Sequence, residues 1–200
     1  MLNLFPNEKI VLNLPDAVFV YYPNFFNTEK ADELFKKLIE ETHWQQDNIS
    51  IFGKTHLQPR LTALYGNEDK PYSYSNIVMH PHQWNSLLTF IKEKIEETCN
   101  HSFTTVLINR YRNEKDSNGW HADNEKELGR NPIIASVSFG EERIFQLKHN
   151  TNKDAKLSLT LKHGSLLLMK EGSQIHYKHQ IPKATKTKKE RINLTFRRIL

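Results

Sequence analysis

The types and spacing of a few residues near the middle of the chain predict a metal site. His121 and Asp123 are two positions apart, and side chains at that separation in a strand point to the same face. A further histidine, His176 or His179, follows. Two histidines and one carboxylate leave about three positions of an octahedral metal open, as in non-haem Fe(II) oxygenases. Zinc, manganese and nickel would also accept these ligands, so the residues alone leave the metal open.

Spacing does not choose between the two later histidines. His176 and His179 lie in a segment predicted as a strand, where positions three apart face opposite sides, so at most one can reach the metal. Six other histidines have no metal-like surroundings and are expected to be ordinary surface or core residues: His43, His56, His80, His82, His101 and His149.

An arginine-rich segment follows the histidines. Arg191 and Arg197 are six positions apart, which places both on one face of a regular strand together with Asn193 and Thr195. An oxygenase iron needs a two-electron co-substrate to activate O2. A buried arginine suits a dicarboxylate such as 2-oxoglutarate, because guanidinium binds a carboxylate through two parallel hydrogen bonds.

The pattern of apolar residues predicts helices first and strands later. One helix is capped by Asn27 or Thr28, and a second begins near Pro81; their apolar faces are expected to buttress a sheet. From residue 103 onward, short strands separated by turn residues favour a sandwich or barrel. The predicted strands are 104–111, 133–139, 144–148, 157–161, 166–169, 176–179 and 192–196.

Five motifs in a fixed order carry a family resemblance. They are Asn109-Arg110-Tyr111, the run 135–140, the run 163–169, His179-Gln180-Ile181-Pro182 and the run 191–197. From about Ile49 to the C-terminus, the chain resembles the AlkB family of Fe(II)/2-oxoglutarate dioxygenases, which repair alkylated bases. It looks most like the human-type homologue that prefers double-stranded DNA.

The resemblance implies an α+β fold in a single domain, 1–200. Its core would be a double-stranded β-helix, or jelly roll, over residues 103–200, buttressed by the N-terminal helices. Residues 49–76 would form a nucleotide-recognition lid.

The resemblance also assigns the iron and co-substrate residues. It selects His179 as the third Fe(II) ligand after His121 and Asp123, because the family's distal ligand precedes an apolar-Pro pair, and leaves His176 as a nearby support. Arg191 would bind the far carboxylate of 2-oxoglutarate, and Arg197 would be a second arginine near its iron-bound end. The remaining co-substrate contacts would come from Asn109, Tyr111, Asn193 and Thr195.

The lid residues are assigned to the nucleic acid. Phe52 would fill the gap left by a flipped base, and Tyr74, with Tyr72 beside it, would stack on that base. Lys54 and Arg60 are candidate phosphate contacts.

The implied reaction is oxidative demethylation of 1-methyladenine or 3-methylcytosine in DNA, using O2 and releasing formaldehyde, succinate and CO2. Glu125 matches an acid that favours these cationic bases, although Asn124 stands where the family often has a further acid. Methylated RNA or tRNA is the alternative substrate. A non-catalytic nucleic-acid-binding module is the alternative class, but it would have lost a ligand or Arg191, and the chain has lost neither.

Composition agrees with such a protein. Lysine and arginine total 28 against 23 acidic residues, which favours a polyanionic partner, and lysines crowd the segment 183–189. One cysteine, Cys99, allows no disulfide within the chain and fits a reducing compartment. We expect a monomer inside the cell, nuclear in a eukaryote or cytoplasmic in a bacterium, with no secretory signal or membrane span.

Overall fold

The computed structural model describes residues 8–51, 53–67, 72–74 and 77–200. Its helices are α1 (Thr28–Glu41), α2 (Ser86–Cys99) and the short α3 (Ser173–His176), with a 3-10 turn at Lys126–Leu128. Its strands are β1 (Ile10–Leu14), β2 (Ala17–Tyr22), β3 (Asn48–Ile51), β4 (Lys54–Leu57), β5 (Leu61–Gly66), β6 (Tyr72–Tyr74), β7 (Ile77–Met79), β8 (Thr105–Tyr111), β9 (Asn118–His121), β10 (Ile134–Gly140), β11 (Arg143–His149), β12 (Lys156–Leu161), β13 (Ser165–Met169), β14 (Tyr177–Ile181) and β15 (Arg191–Arg197).

Eight of these strands form a jelly roll of two antiparallel sheets. The larger sheet contains the order β13-β10-β15-β8, and the smaller sheet has the order β12-β11-β14-β9. An apolar cluster between them includes Leu107 and Leu167 from the larger sheet and Phe145 and Leu147 from the smaller. The chain crosses repeatedly between the two sheets, which is the jelly-roll arrangement, and the predicted fold is confirmed.

Strands from the first third of the chain extend the larger sheet. β2 pairs with β13 and carries β1 on its far side, while β5 pairs with β8 at the opposite edge. The larger sheet therefore recruits residues well before position 103, where the sequence placed the start of the jelly-roll core.

Helices α1 and α2 cover the outer face of the larger sheet. Asn27 caps α1 by accepting a hydrogen bond from the backbone N–H of Lys30 at 2.9 Å, and α1 packs against β10. The predicted start of α2 near Pro81 is wrong. The helix begins at Ser86, because Asn85 supplies the cap by accepting from the backbone N–H of Leu88 at 2.8 Å. None of the helices in the described ranges is both long and apolar enough to cross a membrane.

The alternation of β15 aims polar side chains into the space between the sheets. Ile192, Leu194 and Phe196 join the apolar cluster beneath the helices. Because successive side chains of a strand point to opposite faces, the remaining positions face the interior: Arg191, Asn193, Thr195 and Arg197. β10 follows the same rule, with its serines Ser136 and Ser138 on the interior face.

The segment 176–179 is not a continuous strand. His176 ends α3, where its N–H donates to the carbonyl of Gly172 at 2.8 Å, and β14 begins at Tyr177. Gly172 has a φ of 74°, a conformation that costs glycine little and starts the turn. The predicted strand 176–179 is corrected accordingly.

Candidate metal and co-substrate site

Three side chains from β9, the loop after it and β14 converge at one point. His121 and His179 are directly opposite each other in the paired strands β9 and β14, and their ring centroids are 4.2 Å apart. With Asp123 they form a group whose ligand atoms all lie within 4.8 Å of one another. The strand pairing thus brings together the three residues predicted to be the metal ligands.

The donor atoms of this group fit a divalent cation. Asp123 is fully buried; its Oδ2 lies 3.9 Å from Nε2 of His179 and has no hydrogen-bond partner among the described residues. Burial alone would raise the pKa of Asp123, but the charges of Arg197, His179 and His121 lower it to about 2. Burial lowers the pKa of His179 to about 3 and also lowers that of His121. An ionised carboxylate and neutral imidazoles are the forms that bind metal.

A backbone carbonyl orients the ring of His121. Nδ1 of His121 lies 2.7 Å from the carbonyl oxygen of Gly119, which can only accept, so Nδ1 carries the proton. The Nε2 atom is then the acceptor, with the amide of Asn118 at 3.3 Å. Nε2 is therefore the atom that can bind a metal.

Arg197 holds the other oxygen of the carboxylate. Its Nη2 donates to Oδ1 of Asp123 at 2.7 Å, and both side chains are almost completely buried. This charge-assisted hydrogen bond fixes the carboxylate and directs Oδ2 towards the histidines.

Arg191, at the start of β15, is a buried cation with unused donors. Its Nη2 donates to the hydroxyl of Ser138 at 3.0 Å, and its Cζ lies 5.1 Å from the centre of the Tyr111 ring. Its Nε and Nη1 have no hydrogen-bond partner among the described residues. Burial lowers the pKa of Arg191 to about 10, so it remains charged at neutral pH. An unpaired buried charge is costly, and a ligand carboxylate would satisfy it.

Polar side chains of β15 and β10 form a small network beside Arg191. Asn193 donates to the hydroxyl of Ser136 at 2.8 Å and to the carbonyl of Val137 at 3.0 Å. Thr195 donates its hydroxyl proton to Oδ1 of Asn193 at 3.2 Å. The amide of Asn193 is thereby fixed in one orientation.

Arg60 lies inside the protein, and its predicted phosphate contact is wrong. It is only 4% exposed, and its guanidinium donates to Oδ1 of Asn109 at 2.7 Å and to the carbonyl of Ser117 at 3.2 Å. The reason is that Arg60 immediately precedes β5, which pairs with β8 and so brings Arg60 to Asn109. Arg60 instead orients Asn109, which is directly opposite Asn193 in the sheet.

A single cavity between the sheets collects every residue that the sequence assigned to the metal and co-substrate. Hydrophobic side chains such as Leu161 and Met169 complete its wall. The predicted residues that line it are His121, Asp123, His179, Asn109, Tyr111, Arg191, Asn193, Thr195 and Arg197.

The sequence from residue 18 to residue 197 matches the family described as the 2OG-Fe(II) oxygenase superfamily. The chain belongs to this superfamily. Proteins similar to it include the alpha-ketoglutarate-dependent dioxygenase alkB homolog 3 of Bos taurus, 42% identical over 88% of this chain and 64% of the relative. The human DNA oxidative demethylase ALKBH2 is 36% identical over 90% of this chain and 72% of the relative.

The AlkB resemblance is confirmed by these relatives. The human alkB homolog 3 is 40% identical and the human ALKBH2 is 36% identical. Because these two identities are similar, they do not assign the chain to one branch of the family, and the predicted resemblance to the branch that prefers double-stranded DNA stays a prediction. The chain spans less than two thirds of the length of the alkB homolog 3 proteins, 64% of the bovine and 65% of the human protein. A solved structure of OsALKBH1 superimposes with a TM-score of 0.67 at 15% identity, covering 96% of this chain and 100% of that one, which supports the fold.

The residues predicted to form the lid are only partly described. Lys54 is exposed on β4, which forms a hairpin with β3. Tyr72 and Tyr74 lie on β6, paired with β7. Phe52 lies outside the described residues, so its role stays a prediction, as does the lid itself.

The segment after Asp123 carries one predicted residue and depends on one that the sequence did not reveal. Glu125 is half-buried just before the 3-10 turn, and it is not among the residues that line the cavity.

Gln174 of α3 is 1% exposed and accepts a hydrogen bond from the backbone N–H of Asp123 at 2.9 Å. A lone glutamine in the sequence gives no signal of this contact, because it joins positions 51 residues apart.

His176 belongs to a separate cluster, so its predicted support of the iron site is wrong. Its ring stacks on His149 at 5.8 Å, and Nε2 of His149 lies 3.2 Å from Oδ2 of Asp16. Nδ1 of His149 accepts from the backbone N–H groups of Thr151 and Asn152 at 3.2 and 3.0 Å. The proton of the neutral ring is therefore on Nε2, facing Asp16, in an Asp–His hydrogen bond.

Proposed function

We propose that this chain is an Fe(II)/2-oxoglutarate-dependent dioxygenase that demethylates N-alkylated bases in DNA. The observation that carries the proposal is one cavity that holds both a His-Asp-His group and a buried arginine. Among the described residues, Oδ2 of Asp123 and the Nε and Nη1 of Arg191 have no hydrogen-bond partner. The human relative ALKBH2 is a DNA oxidative demethylase, which supports DNA as the substrate.

In this proposal His121, Asp123 and His179 would hold Fe(II). With 2-oxoglutarate and O2, the iron would supply the oxidising power for hydroxylation of the N-methyl group, and the products would be formaldehyde, succinate, CO2 and the repaired base. Arg197 keeps one oxygen of Asp123 occupied so that the other faces the metal, and the apolar wall keeps water from the reacting groups.

The other cavity residues position the co-substrate. The guanidinium of Arg191, whose Nε and Nη1 have no hydrogen-bond partner among the described residues, would bind its far carboxylate through two charge-assisted hydrogen bonds. Tyr111 confines that arginine from the side, and Asn109, whose Oδ1 accepts from Arg60, presents its NH2 group to the remaining oxygens. Asn193 lines the same cavity, with its NH2 group bonded to Ser136 and Val137. Thr195 and Arg60 act one step away, by holding those amides in place.

The substrate contacts extend beyond the cavity. Phe52, Tyr72 and Tyr74 would replace and stack on the extruded base, while Lys54 would contact phosphate. Glu125 would favour a cationic methylated base by its negative charge. The working unit is a monomer acting on DNA inside the cell.

A pair of matched substrates tests the proposal. The protein is incubated with Fe(II), 2-oxoglutarate and oligonucleotides of identical sequence carrying 1-methyladenine in DNA or in RNA, and the repaired base is measured by mass spectrometry. We expect repair of the DNA, none by His179→Ala, and near-normal repair by His176→Ala. Exclusive repair of the RNA would replace the DNA proposal with the RNA alternative, and repair of neither would contradict the demethylase.

A further inference from the structure

Three lysines form a row across the outer face of the smaller sheet. Lys148 on β11 is directly opposite Lys156 on β12 and Lys178 on β14, and all three are exposed. Residues directly opposite in an antiparallel pair project from the same face, and like charges there destabilise the sheet. Among the described residues, no carboxylate forms a salt bridge with any of the three. The repulsion between the three lysines lowers the stability of the sheet, and binding of an anionic partner would offset it.

An exposed tryptophan lies beside the row. Trp120 on β9 is 38% exposed, and the Nζ of Lys148 lies 4.2 Å from the centre of its ring. Trp120 and Lys178 directly precede His121 and His179, whose side chains point into the cavity. By strand alternation, the outer face with the lysines is therefore the reverse side of the wall that carries the two histidines.

Trp120, Lys148 and Lys156 line a shallow groove of about 390 Å³, and Lys178 lies outside its lining. Neutral hydrogen-bonding side chains, Gln146 and Ser158, form part of its floor. With strands about 4.8 Å apart, the row of three lysines is about 10 Å long. Cation, aromatic ring and neutral polar groups are the elements of a single-strand-binding groove.

We propose that this face binds a single-stranded stretch of nucleic acid, the strand flanking the damaged base, with the lysines on its phosphates and Trp120 stacked on a base. The inference rests on the proposed function, since it extends the substrate contacts from the cavity to the outside of the same wall. An unbroken duplex presents its bases edge-on and offers no exposed ring to Trp120, so the single strand is the occupant that fits.

Protection of a sheet edge does not explain the row. Edge strands often carry lysine to prevent pairing with another chain, and Lys156 is on the edge strand β12. Lys148 and Lys178, however, lie on the interior strands β11 and β14 of the order β12-β11-β14-β9, where there is no edge to protect.

Binding of an undamaged, fluorescently labelled single-stranded DNA to the full chain tests the proposal. The variant Lys148→Ala/Lys156→Ala/Lys178→Ala is compared with the control Lys30→Ala/Lys36→Ala/Lys37→Ala, which removes the same charge from α1, on the outer face of the larger sheet. We expect the first variant to bind at least about tenfold more weakly. Its slope of log affinity against log salt should fall by about 2, at about 0.7 per lost phosphate contact. Equal behaviour of the two variants would overturn the proposal.

The tryptophan separates nucleic-acid binding from simple attraction of any polyanion. Trp120→Leu should weaken binding by about 5- to 100-fold, the range of losses when a stacking aromatic is removed, whereas Trp120→Phe should retain most of it. If Trp120→Leu binds as the wild type does, the face does not stack bases and the proposal is wrong.

A minimal substrate distinguishes failure of this inference from failure of the proposed function. A methylated trinucleotide is too short to occupy both the cavity and the outer groove, so the triple lysine variant should demethylate it at the wild-type rate. If the wild-type protein demethylates the trinucleotide but the triple lysine variant binds single-stranded DNA as well as the control variant does, the groove proposal is wrong and the proposed function stands. If the triple lysine variant binds DNA more weakly than the control but the wild-type protein does not demethylate the trinucleotide, the proposed function is wrong and the groove proposal stands.

Discussion

Arg197 and Asp123 form a buried ion pair that determines which oxygen of the carboxylate is available to a metal. Nη2 of Arg197 donates to Oδ1 at 2.7 Å, across 74 residues of chain. Oδ2, with no hydrogen-bond partner among the described residues, faces His179 at 3.9 Å. The last residue of β15 thus sets the geometry of a side chain in the loop after β9.

The first prediction concerns this pair. Arg197→Ala leaves the carboxylate of Asp123 buried without its cation, which should lower the free energy of unfolding by about 3–5 kcal/mol and raise the pKa of Asp123. Urea denaturation of the metal-free protein measures the loss. Arg197→Lys keeps a charge and should lose less. A change below about 0.5 kcal/mol in Arg197→Ala, typical of surface substitutions, would contradict the role.

The second prediction concerns the metal ligands. His121→Ala, Asp123→Ala and His179→Ala each remove one of the three protein ligands, so each should abolish turnover and weaken metal binding while the fold survives. Calorimetric titration with a divalent cation, together with circular dichroism, checks both parts. His176→Ala is the matched control and should bind metal normally; loss of binding there, with retention in His179→Ala, would reverse the assignment.

The third prediction concerns Arg191. Arg191→Ala removes two charge-assisted hydrogen bonds to the co-substrate, together about 3–6 kcal/mol, and should raise the KM for 2-oxoglutarate by at least about 100-fold. Arg191→Lys should restore only part of this, because an ammonium group is a point charge and cannot form the fork. Steady-state kinetics at varied 2-oxoglutarate measure it, and an unchanged KM in both variants would remove Arg191 from this role.

The fourth prediction concerns Gln174, which holds the backbone of Asp123. Gln174→Ala leaves that buried N–H without its acceptor and should weaken metal affinity by about 10- to 100-fold, as loss of an orienting group around a ligand typically does. Gln46→Ala, which removes a glutamine bonded to the carbonyl of Gln58 away from the cavity, is the control. Equal metal affinities of the two variants would show that Gln174 serves only the fold.

The fifth prediction concerns Phe52. If Phe52 fills the gap left by a flipped base, Phe52→Ala should reduce repair of a duplex more than repair of a single strand, where there is little stack to replace. Repair of one lesion in matched single-stranded and duplex oligonucleotides measures the difference. Equal losses on both would mean that Phe52 only packs within the lid.

The sequence predicted the cavity well because strand alternation is a local rule. Once 192–196 was read as a strand, the alternating polar positions of β15 had to share a face, and the structure puts all four of them in the cavity. The jelly-roll topology itself came from the family resemblance, since periodicity indicated only a sandwich or barrel.

What the sequence missed depends on contacts between distant segments. Arg60 looked like a surface cation because nothing local shows that β5 pairs with β8 and buries it. His176 looked like part of a strand because the left-handed turn at Gly172 outweighs the strand pattern of the next few residues. The row of lysines 148, 156 and 178 exists only in the register of three strands, which no single segment encodes.

The most direct measurement is the stoichiometry of one reaction. The wild-type protein is incubated with Fe(II), 2-oxoglutarate and single-stranded DNA carrying 1-methyladenine, and repaired base, formaldehyde and succinate are quantified together by mass spectrometry. We predict that formaldehyde and succinate appear in equal amounts with the repaired base, and that all three vanish when 2-oxoglutarate is omitted or when His179→Ala is used. Repair that continues without 2-oxoglutarate, or that persists in His179→Ala, would contradict an Fe(II)/2-oxoglutarate demethylase built on His121, Asp123 and His179.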